Sequence, residues 1–534
     1  MWLALALVAL VPHLGALANG FAWDDVFIVL SNPAVRDGDP AAALTRPWWP
    51  AAFTFAGSGL WRPFTSAALA AQWALWGERP LLFHAVGLAL HVAVVLLLFA
   101  VLRRHVGRAA AWAGAAVFAV HPVHVEAVAN GVGQAELWAA LFVLIAVLAH
   151  GRWLEETRVG ARVGLLLLVA AAYLGGVASK EIAVTLPALL LLLPDARGRR
   201  PERALPLLGL LGAVLVFLLA QRLAVVGSVR GEVLAPELIG LSTGARVLSG
   251  LSAWTDHARL LLFPLHLSAD YGPAVRFPAT GVDGGVLLGA AVLAAALAGA
   301  WAARARPLLA AGLLWTVVAL LPVSNLIIPA GVLVAERTLY LPSVGLALGV
   351  AGAWAALAAR WPGRTLPLAL ALVLTAGAAR SALRVPVWAS SDAVLASLER
   401  DHPGSHLVLR RQAARLLAEG RLAEAQGVFD RALALVPRHF SLLTEAAQVA
   451  SVAGDATRAE TLAARGVDVY PTSPHGYVVL ARVRRRAGDE AGARAALLEG
   501  IRRADPLTPL WTELEAGRTM TDVSAVAHPP EELR

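Results

Sequence analysis

MWLALALVALVPHLGALANGFAWDD, residues 1–25, runs apolar from Met1 to about Ala18 and then stops on two adjacent acids, Asp24 and Asp25. The run is long enough to cross a bilayer, and a charge held this close to hydrocarbon is costly and marks function by default. This stretch therefore predicts a membrane enzyme that does acid–base chemistry where its first span meets water. Two plainer readings compete with it. Asp24 could cap a juxtamembrane helix while Asp25 is solvated, or the run could be a leader cut near Ala18, although it lacks the basic start such leaders carry.

The rest of the chain supports the membrane reading. Of 534 residues, 58% are hydrophobic and only 15% charged, against about 25% charged in soluble domains. The absence of cysteine excludes disulfides and thiolate chemistry. Basic residues are arginines except for one lysine, Lys180. The net charge of +8 is spread in short clusters between apolar runs, so topology explains it better than nucleic-acid binding does.

Apolar runs recur near 1–18, 81–101, 109–120, 134–149, 163–178, 182–194, 205–220, 285–303, 307–322, 341–358 and 365–380, which predicts about 11 transmembrane helices. Arginines fill alternate connections: Arg103, Arg104 and Arg108; Arg152, Arg158 and Arg162; Arg197, Arg199, Arg200 and Arg203; Arg304 and Arg306; Arg360 and Arg364. The positive-inside rule makes these loops cytoplasmic, so the remaining loops and everything after about Ser381 face outward. Trp48, Trp49, Trp61, Trp73 and Trp76 predict helices lying at headgroup depth.

Beyond the last run a strict period appears. Gly420, Gly454 and Gly488 form one column, as do Ala413, Ala447 and Ala481; Ala425, Ala459 and Ala493; Ala432, Gly466 and Gly500; and Pro437 with Pro471, all 34 residues apart. Small residues at helix contacts and a closing proline at that spacing are the tetratricopeptide pattern. The domains expected are a transmembrane domain over 1–385, a linker over 386–405, three repeats over 406–507 and a poorly ordered tail over 508–534.

Moving a sugar from a lipid phosphate to a hydroxyl requires a base for the hydroxyl proton and cations for the departing phosphate. Asp24 and Asp25 suit the first role, and Lys180 and Arg337 the second, because all four fall at span ends in predicted outward loops. Supporting candidates are His121, His124, Glu126, Glu136, Glu181, Asp270, Tyr271, Glu336 and Tyr340. The three-residue spacing of His121 and His124 lacks a further ligand, so no metal and no cofactor is expected, and a divalent cation has no support. Lys180 beside Glu181 reads either as an internal ion pair or as a phosphate contact with Glu181 steadying the lysine. Arg222, Arg230 and Arg259 belong to the long loop that would line the cleft. No Walker loop, dinucleotide fingerprint or nucleophile elbow stands in a suitable context.

These motifs together resemble the transmembrane and tetratricopeptide-repeat O-mannosyltransferases of the GT-C class, in a bacterial version. The resemblance runs through Trp23-Asp24-Asp25 with Asn32, His121-Pro122-Val123-His124-Val125-Glu126, Gly133-Gln134-Ala135-Glu136-Leu137, Ser179-Lys180-Glu181, Leu267-Ser268-Ala269-Asp270-Tyr271, and Ala335-Glu336-Arg337-Thr338-Leu339-Tyr340-Leu341-Pro342. It implies an all-α, polytopic GT-C helix bundle followed by a short repeat solenoid. It also implies a polyprenyl-phosphate-linked sugar as donor, inversion at the anomeric carbon, and Asp24 or Asp25 as base. Family members often carry arginine where this chain carries Gln134.

The expected function is transfer of a sugar, mannose or a similar hexose, to a hydroxyl of an extracytoplasmic acceptor, most simply a protein docked on the repeats. The expected place is a bacterial cytoplasmic membrane, with the active site and repeats on its outer face. The rival is a catalytically inactive scaffold whose repeats assemble an envelope complex.

Overall fold

In a computed structural model the chain is described over residues 1–50, 59–193, 205–229, 234–358, 360–361 and 363–503. Arg197, Arg199, Arg200, Arg203, Arg230 and the stretch read as a tail, 508–534, lie outside those residues. Among the described residues all regular structure is helical.

Every apolar run read from the sequence forms helix, but their lengths do not carry the count of eleven spans. Among the described residues six helices are long and apolar enough to cross a membrane: Pro80–Leu102, Gly131–Glu155, Val159–Ser179, Pro206–Val226, Gly284–Ala302 and Thr365–Trp388. The 23-residue helix Pro80–Leu102 extends about 35 Å at the α-helical rise, enough for a hydrocarbon core about 30 Å thick. Arg108–Ala119 and Pro122–Val128 make a seventh span if the pair, bent by 50°, is taken as one. Trp2–Ala18, Glu181–Leu192, Pro307–Val323 and Ser343–Ala358 are apolar but shorter. A run of apolar letters measures composition, whereas crossing requires unbroken length, and prolines at 12, 122, 187 and 322 interrupt or open these elements.

Tight helix contacts rest on small residues. A Cβ on Gly312 would meet the Gly345 carbonyl, and one on Gly345 would meet that of Gly312, so these two backbones touch directly. Lipid tails are as apolar as leucine, and such close approach is what draws helices together in a bilayer.

The long helices also sort the charges. Two of the arginine-rich connections meet at one pole, where Arg104 pairs with Glu155 at 2.7 Å and Arg162 lies over the Trp153 ring. Helix Gln134–Glu155 runs from that pole to Gln134 and Glu136, and helix Val159–Ser179 runs from it to Lys180. The polar motifs singled out in the sequence are therefore gathered at the opposite pole. Of the tryptophans expected at headgroup depth, Trp48 and Trp61 are buried in the protein, where Trp61 donates to the Leu44 carbonyl at 2.9 Å.

Residues 386–405 are themselves folded. Ser391–Asp401 is a helix capped by Ser390, and Val394, Leu398 and Val408 pack into one cluster with Ala22 and Val125. Three helical hairpins follow: His406–Ala418 with Leu422–Leu435, Phe440–Val452 with Ala456–Val469, and Pro474–Arg486 with Glu490–Arg503. Their starts repeat at the 34-residue interval of the sequence columns. Gly420, Gly454 and Gly488 close the first helix of each hairpin with φ of 76°, 86° and 88°, the left-handed cap that glycine adopts without a Cβ penalty.

Candidate active site

The two aspartates do different things. Trp23 holds φ at 57°, a left-handed conformation that a bulky side chain adopts only when its surroundings hold it there. Its N–H donates to Ser391 Oγ at 2.9 Å. The kink sends consecutive acids in different directions. Asp25 is fully buried and accepts N–H bonds from Val132 at 2.7 Å, Gly131 at 3.0 Å and Ala22 at 3.4 Å. It pins the 130–133 turn, and burial pushes its carboxyl up to about 7 against the pull of those three donors. Asp24 keeps 22% of its side chain exposed and lies 3.5 Å from the Arg337 guanidinium.

Arg337 is gripped from two sides. Glu126 takes its backbone N–H at 2.8 Å and pairs with its guanidinium through the other oxygen, leaving a second guanidinium nitrogen toward Asp24. The neighbouring Glu336 faces away. It is fully buried and accepts from Ser268 N–H at 2.7 Å, Tyr271 Oη at 2.9 Å and Arg384 at 3.2 Å. Burial raises its carboxyl to about 7, with Arg384 pulling the other way. Glu336 thus ties the 267–271 loop and the end of helix Thr365–Arg384 to the strip that carries Arg337.

Lys180 pairs with Glu136 and not with its sequence neighbour, and both are nearly buried, with side chains 8% and 1% exposed. It lies within electrostatic reach of Arg337 on one side and Arg62 on the other. Glu181 turns to Arg62, which donates to it at 3.0, 3.2 and 3.3 Å, and Arg222 approaches it at 4.0 Å. Gln134 exchanges amide hydrogen bonds with Gln72 at 2.8 and 2.9 Å and donates to the Phe83 carbonyl at 3.1 Å. Gln134 is thus a neutral amide with its hydrogen bonds satisfied.

The structure therefore brings Asp24, Arg337, Glu126, Glu136, Lys180 and Glu181 into one connected charge system. Other candidates lie outside it. His121 Nε2 bonds the Leu261 carbonyl at 3.0 Å, His124 bonds Ser343 Oγ at 2.8 Å, and Tyr340 Oη bonds His91 at 2.8 Å. All three are buried in an aromatic cluster with Phe118, bracing the bent pair against helix Ser343–Ala358. Asp270 faces the first hairpin near His406, and burial lifts its carboxyl to about 6. Tyr271 acts through Glu336. Among the described residues no three His, Asp or Glu side chains are grouped as a metal ion would need.

Arg62, Gln72, Arg384 and Ser391 were not singled out from the sequence. Arg62 and Arg384 carried a readable signal, since Arg62 is a charge at the start of an apolar helix and Arg384, one turn after Arg380, ends another, the same cost that draws attention to Asp24. Gln72 and Ser391 carried none, being small polar residues whose partners are distant in sequence.

No protein-family model matches the chain. Curated proteins do. It is 28% identical to human protein O-mannosyl-transferase TMTC1 over 490 residues, covering 80% of this chain and 54% of that protein. It is 32% identical to Drosophila melanogaster protein O-mannosyl-transferase Tmtc2 over 282 residues, covering 50% of this chain and 30% of that one. Drosophila melanogaster protein O-mannosyl-transferase Tmtc1 matches at 35% over 181 residues, 33% of this chain and 21% of that protein. The chain thus spans about half or less of the length of these relatives.

Proposed function

We propose that this multi-pass membrane protein, a distant homologue of the TMTC protein O-mannosyl-transferases at 26–37% identity, is itself a glycosyltransferase that moves a hexose from a polyprenyl-phosphate donor to the hydroxyl of a protein acceptor. Asp24 takes the acceptor's proton as the hydroxyl oxygen attacks the anomeric carbon from the face opposite the phosphate. The C–O bond to phosphate breaks, its electrons leave with the polyprenyl phosphate, and the configuration inverts. Arg337 and Lys180 balance the charge that grows on the leaving group. Asp25 shapes the turn and does not touch substrate.

What supports this assignment is the contrast within one dipeptide. Asp24 is partly exposed beside a guanidinium, while Asp25 is sealed against three backbone donors. A base must reach both solvent-borne acceptor and donor, and only Asp24 has that access. The chain is organised as a GT-C membrane domain over 1–385, a connecting segment over 386–405 and tetratricopeptide repeats over 406–507. The site and the repeats lie on the extracytoplasmic side of a bacterial cytoplasmic membrane. The positive-inside rule supports this, since the arginine pole is opposite the site.

Asp24→Asn should lower sugar transfer from polyprenyl phosphate in purified membranes by roughly 10²-fold or more, with unchanged abundance. Full transfer by that variant would remove Asp24 from the mechanism, and no transfer by the intact chain from any polyprenyl-phosphate sugar would remove the reading altogether.

A further inference from the structure

Asp24 and Arg337 come from distant parts of the chain, yet both are held from one place. The loop that carries the aspartates lies against the segment that closes helix Thr365–Arg384, joined to it by three hydrogen bonds. Asn19 Nδ2 donates to the Val385 carbonyl at 3.2 Å, Gly20 N–H to the Ala389 carbonyl at 3.0 Å and Trp23 N–H to Ser391 Oγ at 2.9 Å. The approach is close: a Cβ on Gly20 would stand 3.2 Å from the Ala389 carbonyl oxygen, and one on Gly15 3.3 Å from the Val385 side chain. The same segment begins with Arg384, whose guanidinium reaches Glu336 at 3.2 Å. Residues 384–391 thus hold Trp23, the residue before the base, and Glu336, the residue before the cation. The base and the cation stand 3.5 Å apart.

The segment is rigid enough to do this. Trp388 is fully buried, and its cluster takes Ala22 from the aspartate loop, Val125 from the bent pair, Val394 and Leu398 from the next helix and Val408 from the first hairpin. Trp23 packs against that cluster from its edge. A left-handed φ of 57° is strained for tryptophan, so it persists only while the surroundings hold the residue on more than one side. The cluster holds its side chain and Ser391 holds its N–H. On the cation side the tie is sealed from water, with Arg384 almost buried and Glu336 fully so. Catalytic groups must be held to within about 0.5 Å, and a misplacement of about 1 Å can cost about 10²-fold in rate. A strained loop has no such precision of its own.

We infer that residues 384–391 are a positioning clamp that sets Asp24 against Arg337, with Ser391 holding the base side and Arg384 the cation side. Its consequence for catalysis rests on the glycosyltransferase reading, and neither residue touches substrate. Without Ser391 Oγ the Trp23 peptide loses the acceptor that fixes it, its φ relaxes, and Asp24 swings off the guanidinium. Asp25 stays where it is, pinned by its own three N–H donors. Because Val408 closes the same cluster, the hairpins are mounted on the clamp and not on a slack linker.

The test uses the full chain in detergent and reads amide hydrogen exchange first. Ser391→Ala is a gentle change, since Ser390 caps that helix and alanine suits its first position. Exchange over residues 21–25 should rise about tenfold or more, Ser391→Thr should keep the parent's protection, and the 130–133 turn should not change. On the cation side the uncharged pair Arg384→Met/Glu336→Gln should loosen residues 335–338 in the same way. Transfer is then measured in membranes with polyprenyl phosphate mannose as donor. Ser391→Ala should lose about tenfold or more in kcat with KM for the donor unchanged, and Ser391→Thr should recover it. Asp24→Asn/Ser391→Ala should be no slower than Asp24→Asn, because Ser391 acts only through that acid. Unchanged exchange over 21–25 in Ser391→Ala overturns the inference, and so does a double variant whose losses multiply. Parent-like transfer by Ser391→Ala beside an inactive Asp24→Asn sinks the clamp and keeps the enzyme. The expected exchange pattern with no transfer by the intact chain from any polyprenyl-phosphate sugar keeps the clamp and sinks the enzyme.

Discussion

Ion pairs occur in both halves of this molecule, and they do not mean the same thing. Around the site Lys180–Glu136 and Arg384–Glu336 are almost fully withdrawn from water. On the hairpins Arg484–Glu460 and Arg410–Glu445 connect neighbouring helices with much of their surface wet. Chemistry and geometry are alike; solvation separates them. Buried charges lose several kcal/mol of hydration each, so they persist only when every partner is present. Wet pairs exchange water for each other at little net gain. The site thus spends stability to hold charge out of water, and the hairpins do not.

The strongest way to break that contrast is at Lys180. Lys180→Met leaves Glu136 buried without its cation and should cost about 3–5 kcal/mol, read as a lowered unfolding midpoint in detergent. Adding Glu136→Leu should recover most of the loss, because a matched apolar pair removes the charge altogether. If the single change costs no more than a surface pair does, these groups are solvated and the distinction collapses.

Asp25 sharpens the comparison by titration. Its carboxyl is raised from the ordinary value of 3.8 to about 7, burial being the largest cause. The sign follows from linkage. A carboxyl raised on folding binds its proton more tightly in the native state, so its contribution is full below about pH 4 and is lost as pH rises through about 7. The unfolding midpoint should fall as pH rises from about 4 to about 7 and level off above that, and Asp25→Asn should flatten that fall. A pH profile that Asp25→Asn leaves unchanged would show that the three N–H donors already hold the carboxylate charged.

Which charges gather in one place was largely legible in the sequence, and which of them pair was not. Asp24, Lys180, Arg337, Glu126 and Glu136 stand out because an acid or base beside an apolar run is expensive. Their partners lie far away along the chain. Lys180 pairs across 44 residues with Glu136, and Glu126 reaches Arg337 across 211, so adjacency suggested the wrong pair in Lys180-Glu181. His121, His124 and Tyr340 look chemical by residue type but are buried in a structural cluster, a distinction only burial reveals. The hairpin period was readable because it depends on small residues at fixed intervals. The span count is not confirmed, because prolines and short helices divide runs that look continuous as composition. Arg62 was missed because the aromatic residues around it read as a membrane-surface segment.

The smallest effect belongs to the hairpins. Glu460 lies 2.9 Å from Arg484 with half of its side chain exposed. Arg484 also donates to the Gly492 carbonyl at 3.2 Å, so it keeps a partner when the acid is gone. Glu460→Gln should therefore change stability by no more than about 1 kcal/mol, and less at high salt, where exposed pairs are screened. Measured beside Lys180→Met in the same detergent, it sets the loss of a wet pair against the loss of a buried one. A loss of several kcal/mol from Glu460→Gln would mean that the hairpin surface is covered in the intact protein, with this ion pair buried beneath whatever covers it.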